Sequence, residues 1–220
     1  MSRTAVVYFG CVVALACFVL ARAISHWETE DPARFFVYLA FAFLAGTLKV
    51  RLPGITGTFS LNFLFVLIGV ANLTSPETLV IAGTSMAVQS VWRSSNPARW
   101  IHLLFNVSAI TICAQLAFTA ARSFPLPFLL QLAVASGVYF LTNTILVSGI
   151  LTLAEDKSFL AVWSRWFRWF LAYYGIGVTT TALILIVNRQ TGWGYALLIL
   201  PIMYLEYMCL CYDIKEVPGA

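Results

Sequence analysis

Six carboxamides, Asn62, Gln89, Asn106, Gln115, Gln131 and Asn143, lie inside long apolar runs of this 220-residue sequence. An amide left unpaired in hydrocarbon costs on the order of several kcal/mol, so each is expected to face neighbouring helices and find a partner there. Helical spacing groups them further. Ser85 and Gln89 are one turn apart, as are His102 and Asn106, and Ser136, Tyr139 and Asn143 share one face. Two roles fit this chemistry. Interhelical hydrogen bonds, worth about 0.6 kcal/mol per pair in membrane bundles, would make the amides packing glue, alongside small-residue contacts such as Ala42-x-x-x-Gly46. A shared polar pocket would instead let them hold a small, largely uncharged ligand. Asn62, Gln89, Asn106 and Asn143 stand on consecutive apolar runs, which favours the pocket. With His102, Tyr139 and Glu206 they form the candidate ligand-binding set.

Glu206 is the one acidic residue inside a run, Glu77 being read as part of a Ser75-Pro76-Glu77 turn. A carboxylate at the bilayer centre costs about 2.5–3.5 kcal/mol on insertion scales and by default marks function. Glu206 also lies roughly 10 Å of helix before Asp213, close enough to reach a membrane interface, and both roles stay open. Catalytic patterns are missing: there is no H-E-x-x-H pair, G-x-S-x-G elbow or Walker-type loop. A non-enzymatic protein is therefore expected. Cys11, Cys17, Cys113, Cys209 and Cys211 all fall in apolar runs without metal-ligand spacing and are expected to be small apolar fillers. No residue pattern identifies a cofactor.

The elements that must position these groups follow from composition. The chain is 61% hydrophobic and 10% charged, with a mean hydropathy of +0.89. Soluble domains carry about 25% charged residues, so most of the chain is expected to be bilayer-spanning helix, an all-α polytopic bundle in one domain. Strand-period alternation is absent, which excludes a membrane β-barrel, and a basic, aromatic-interleaved face is absent, which excludes nucleic acid as a partner. About eight spans are expected, near 5–23, 34–50, 55–73, 76–92, 100–121, 127–153, 170–188 and 194–211. A variant with 55–92 as a re-entrant hairpin leaves six full spans.

Residues 158–169 pattern differently. Lys157, Ser164, Arg165 and Arg168 share one helical face, and Trp163, Trp166 and Trp169 lie among the apolar residues covering the rest. That predicts an amphipathic helix in the membrane surface, with Trp163, Arg165, Trp166, Arg168 and Trp169 as its headgroup-level residues. The run 5–23 is longer than a usual signal-peptide core and lacks a small-x-small cleavage site, so it is expected to be a retained span.

Charge orients the bundle. With the N-terminus inside, Arg3, Lys49, Arg51, Arg93, Arg99, Lys157, Arg165, Arg168 and Lys215 are internal, against Arg22, Arg34, Arg122 and Arg189 outside. This obeys the positive-inside tendency and places both termini in the cytoplasm, with the acidic loop 24–33 outside.

Several ordered segments resemble a known family: LPGITGTFSLNFLFVLIGV (52–70), PETLVIAG (76–83), QSVWR (89–93), LLFNVS (103–108), FLTNT (140–144) and LPIMYLEY (200–207). Together they resemble the multi-span N-terminal input domain of bacterial signalling proteins that carry cytoplasmic HD-type phosphohydrolase or GGDEF domains. The resemblance implies a sensory bundle in the bacterial inner membrane. Such bundles have also been likened to substrate-capture subunits of vitamin uptake transporters. In the family the last span continues into a basic helix and an enzyme, whereas here the sequence runs through YDIKEVPGA to Ala220. The expectation is a sensor-like or small-molecule- or lipid-binding module that signals to a separate protein partner or works as a homo-oligomer. Pro201 and the surface helix are its expected movable parts. The alternatives are a transporter capture subunit or a structural subunit of a membrane complex.

Overall fold

The computed structural model describes residues 2–51, 58–92, 100–155, 158–192, 204–205 and 208. Seven helices and two short strands occur among the described residues: α1 (Arg3–Ser25), α2 (Pro32–Thr47), β1 (Lys49–Arg51), β2 (Thr58–Ser60), α3 (Asn62–Asn72), α4 (Ser75–Val91), α5 (Trp100–Arg122), α6 (Phe128–Glu155) and α7 (Phe159–Thr191). The expected run 194–211 lies outside the described residues, apart from isolated positions.

Local chemistry sets most of these limits. Ser2 Oγ accepts the Ala5 N–H to start α1. Asp31 caps α2 in the same way, and Pro32 occupies the first turn, where its missing N–H costs nothing. Thr74 and Glu77 form a reciprocal capping box at the start of α4. Gly192, at φ 86°, ends α7 in a conformation that a side chain would strain.

Among the described residues, three helices, α1, α5 and α6, are long and apolar enough to cross a membrane. A 23-residue helix such as α1 or α5 rises about 35 Å, against a hydrocarbon core of about 30 Å. Their outer faces carry large apolar groups, among them Val7, Phe18, Leu104, Leu116, Leu129 and Leu141.

The stretch expected as a span over 55–73 is built otherwise. Part of it forms β2, which pairs antiparallel with β1 in the register Lys49↔Ser60, Val50↔Phe59 and Arg51↔Thr58. This ribbon also stops α2 at Thr47, short of the expected residue 50. What remains is α3, 11 residues and roughly 16 Å long, about half a bilayer core. The shorter limb of the α3–α4 hairpin is thus the first. Residues Asn62 through Val70 of α3 are all buried, and α3 touches α2, α4, α5, α6 and α7. A helix that is apolar all round belongs at the centre of a bundle, and α3 is enclosed there.

Glycines set the closest approaches. A Cβ on Gly46 would stand 2.6 Å from the Ser85 carbonyl oxygen, so α2 and α4 meet backbone to backbone. A Cβ on Gly69 would meet Thr78 at 3.0 Å and one on Gly177 would meet Phe63 at 3.0 Å, which pins α3 between α4 and α7.

The separate surface helix expected over 158–169 is corrected by the structure. Those residues are the first turns of α7, a single helix of 33 residues. With no Gly or Pro between Phe159 and Tyr174, the backbone ladder has no chemical reason to break at residue 170.

Consecutive helices alternate in direction, giving the bundle two distinct ends. At the turn end, Thr74 Oγ1 donates to the Glu28 carbonyl at 3.0 Å and Asn188 Nδ2 donates to the Tyr38 hydroxyl at 3.2 Å. At the ribbon end, Ser2 Oγ donates to the Leu153 carbonyl at 3.0 Å and Lys49 Nζ to the Gln89 carbonyl at 3.1 Å.

Candidate functional site

The two ends of α3 carry the polar chemistry. At the ribbon end, Asn62 Nδ2 donates to Gln89 Oε1 at 3.1 Å, with the residues 5% and 6% exposed. The next residue, Phe63, packs its ring 5.0 Å from that of Tyr139 and 4.2 Å from that of Tyr174, centroid to centroid. Asn143 Nδ2 donates to the Tyr174 hydroxyl at 3.2 Å, and Phe140 lies 5.1 Å from the Tyr174 ring. The first turn of α3 therefore gathers Asn62, Gln89, Tyr139 and Asn143 from three helices, α3, α4 and α6, with Tyr174 of α7 beside them. Asn106 sits at the flank, donating to Ser90 Oγ at 3.4 Å across the α4–α5 seam.

These amides meet one another and nearby hydroxyls, as interhelical contacts do. His102 stands apart from them, exposed one turn before Asn106. Glu206 lies outside the described residues, as do the side chains of Arg165, Trp166, Arg168 and Trp169. Trp163 is the one residue of that expected surface set whose side chain is described. It is half-buried, and its indole N–H donates to Thr144 Oγ1 at 3.3 Å, because α7 packs along α6.

At the turn end, a cavity of about 490 Å³ opens between α3, α5 and α6. Its walls include Val70, Ala71, Arg122, Phe124, Phe128 and Leu132, with Gln131 and Ser123 at polar positions. The volume is in the range of pockets that hold small organic ligands. Arg122 Nη2 donates to the Val70 and Leu73 carbonyls, each at 3.2 Å. Val70 is in the last turn of α3, where carbonyls lack intrahelical partners, and a cation there also meets the negative end of the helix dipole. The guanidinium lies 4.7 Å from the Phe118 ring centroid. Arg189 on α7 stacks 3.9 Å above Phe128, a cavity-wall ring.

Beside this cavity the α3–α4 turn is held by Glu77. Its Oε2 accepts the Thr74 N–H at 2.9 Å and lies 3.0 Å from the Thr74 hydroxyl, whose one hydrogen is shared between this carboxylate and the Glu28 carbonyl. Glu77 is 1% exposed, and Oε1 is buried without a partner. Ser75 Oγ donates to Gln115 Oε1 at 2.8 Å, and Gln115 Nε2 donates to Thr119 Oγ1 at 3.0 Å, which ties the turn to α5.

Glu77 and Arg122 were not in the sequence-derived set. The capping-box pattern Thr74-x-x-Glu77 is a legible signal for the first. Arg122 reads in sequence only as the end of an apolar run. Its carbonyl partners are 49 and 52 residues away. No protein-family model, curated protein or solved structure matches this chain.

Proposed function

We propose that the chain is a non-enzymatic sensory module of the bacterial inner membrane, in which α3 carries the effect of a bound ligand from the turn end to the ribbon end. One observation carries this proposal. The short helix α3 is enclosed on every side, has a ligand-sized cavity at one end, and leads directly into β2 at the other. Its first turn is tied through Asn62 to Gln89, whose carbonyl also holds Lys49 of β1, so α3 and the ribbon are strained together. Any shift is then delivered to the ribbon that follows it in space.

Other features support the same assignment. The helices long enough to cross a membrane carry apolar outer faces. The excess of Lys and Arg expected on that side supports a cytoplasmic ribbon end, where a partner protein would read it. The resemblance of 52–70, 76–83, 89–93 and 103–108 to bacterial input domains covers α3, α4 and the start of α5. The polar pairs Asn62–Gln89 and Asn143–Tyr174 hold the ribbon end of α3 in register.

The test fills the cavity. Ala71→Trp places a bulky group where a ligand would lie, and amide hydrogen exchange is then followed at Lys49–Arg51 and Thr58–Ser60. Changed ribbon protection in a folded protein is the expected result. Unchanged exchange at the ribbon would sink the coupling.

The same cavity would suit the capture subunit of an uptake system. Loss of uptake of one nutrient on deletion, with co-purification of energising subunits, would favour that function.

A further inference from the structure

We infer that the cavity at the turn end takes an amphiphile with an oxyanion head, a phosphate or carboxylate on an apolar body, with the head on Arg122. This rests on the assignment of the cavity as a binding site, and adds the ligand's chemistry.

Arg122 is the one charged group among the described residues lining the cavity. Both of its hydrogen bonds come from Nη2, to the Val70 and Leu73 carbonyls. Those two bonds and the Phe118 ring fix the guanidinium plane, leaving Nε and Nη1 as oriented donors for an oxyanion. Pre-positioning of this kind removes ordering cost from binding. Glu77, in the adjoining α3–α4 turn, is spent on Thr74 and forms no ion pair with Arg122 among the described residues.

Gln131, half-buried in the first turn of α6, adds an amide donor to the cavity wall. Ser123 is a weaker candidate, because its hydroxyl already donates to the Thr119 carbonyl at 2.7 Å. The remaining wall of Val70, Ala71, Phe124, Phe128 and Leu132 is apolar and suits an alkyl or aryl body. Arg189, stacked on Phe128, adds a second positive charge at the edge and forms no ion pair among the described residues. A neutral ligand would leave this charge unanswered.

The experiment uses the full chain in phosphatidylcholine nanodiscs, with dodecyl phosphate and the uncharged dodecanol as probes, read by calorimetry and by thermal melting. The expected result is tighter binding of dodecyl phosphate, weakened about ten- to a hundredfold by Arg122→Gln and little changed for dodecanol. Arg122→Gln also removes donors from two carbonyls, so Gln131→Leu and Ala71→Trp are measured beside it. Gln131→Leu should weaken the phosphate selectively, and Ala71→Trp should block both probes.

Equal binding of the two probes, insensitive to Arg122→Gln, overturns the anionic head and leaves the cavity as a binding site. Failure of both probes to bind, with Ala71→Trp indistinguishable from the parent, overturns both assignments. Nanodiscs doped with phosphatidylglycerol identify the source. Competition with dodecyl phosphate points to a bilayer lipid and its absence to a free amphiphile, and either supports the oxyanion head.

Discussion

Asn62 and Gln89, 27 residues apart in the chain, share a buried hydrogen bond of 3.1 Å that closes the ribbon end of the α3–α4 hairpin. Lys49 fixes the same place from β1 by donating to the backbone carbonyl of Gln89. Three elements thus meet at one residue, and the start of α3 cannot move without straining the ribbon.

A double-mutant cycle measures this bond. Asn62→Leu alone removes the donor to Gln89 Oε1 and should destabilise by about 1–3 kcal/mol. Adding Gln89→Leu should recover part of that loss, with a coupling energy of about 0.6–1.7 kcal/mol, the span found for interhelical hydrogen bonds in membranes. Reversible unfolding in mixed detergent micelles gives the four stabilities. Additive losses would show that the pair does not act as a unit.

The glycines separate contact from propensity. Gly46→Ala drives a methyl group to 2.6 Å from the Ser85 carbonyl oxygen, and Gly177→Ala drives one to 3.0 Å from Phe63. Each should cost about 1–3 kcal/mol, with Gly46 the worse because backbone yields less than a ring. Gly10, with nothing within 4 Å, is the control: Gly10→Ala should be neutral or stabilise by up to about 1 kcal/mol. Thermal melts of the three variants rank them, and equal behaviour would refute the packing of α2 on α4.

At the opposite end of the hairpin, Glu77 should tolerate amidation better than deletion. In Glu77→Gln the amide oxygen can still accept from the Thr74 N–H and hydroxyl, and the amide nitrogen replaces an oxygen that has no partner. In Glu77→Ala the N-cap loses its reciprocal partner, at a cost of about 1–2 kcal/mol, similar to Thr74→Ala. Protease sensitivity of the α3–α4 turn, read by mass spectrometry, should rise in the order Glu77→Gln, Glu77→Ala. The reverse order would show that the negative charge itself is needed.

The sequence alone determined α1, α5 and α6, because a helix of this kind is specified by unbroken apolar length and by signals within a few residues of its ends. The expected 100–121 and 127–153 become Trp100–Arg122 and Phe128–Glu155. It also singled out Asn62, Gln89, Tyr139 and Asn143, since polar groups in apolar runs must seek partners. Which partners they take is not a local property. The pairing of Lys49–Arg51 with Thr58–Ser60 converts an expected span into a ribbon and a half-length helix. Hydrogen bonds between segments, not hydropathy, decide where that helix begins. Tertiary packing alone enclosed α3, leaving Arg122, which in sequence only ends a helix, bonded to carbonyls 49 and 52 residues earlier at the mouth of a cavity.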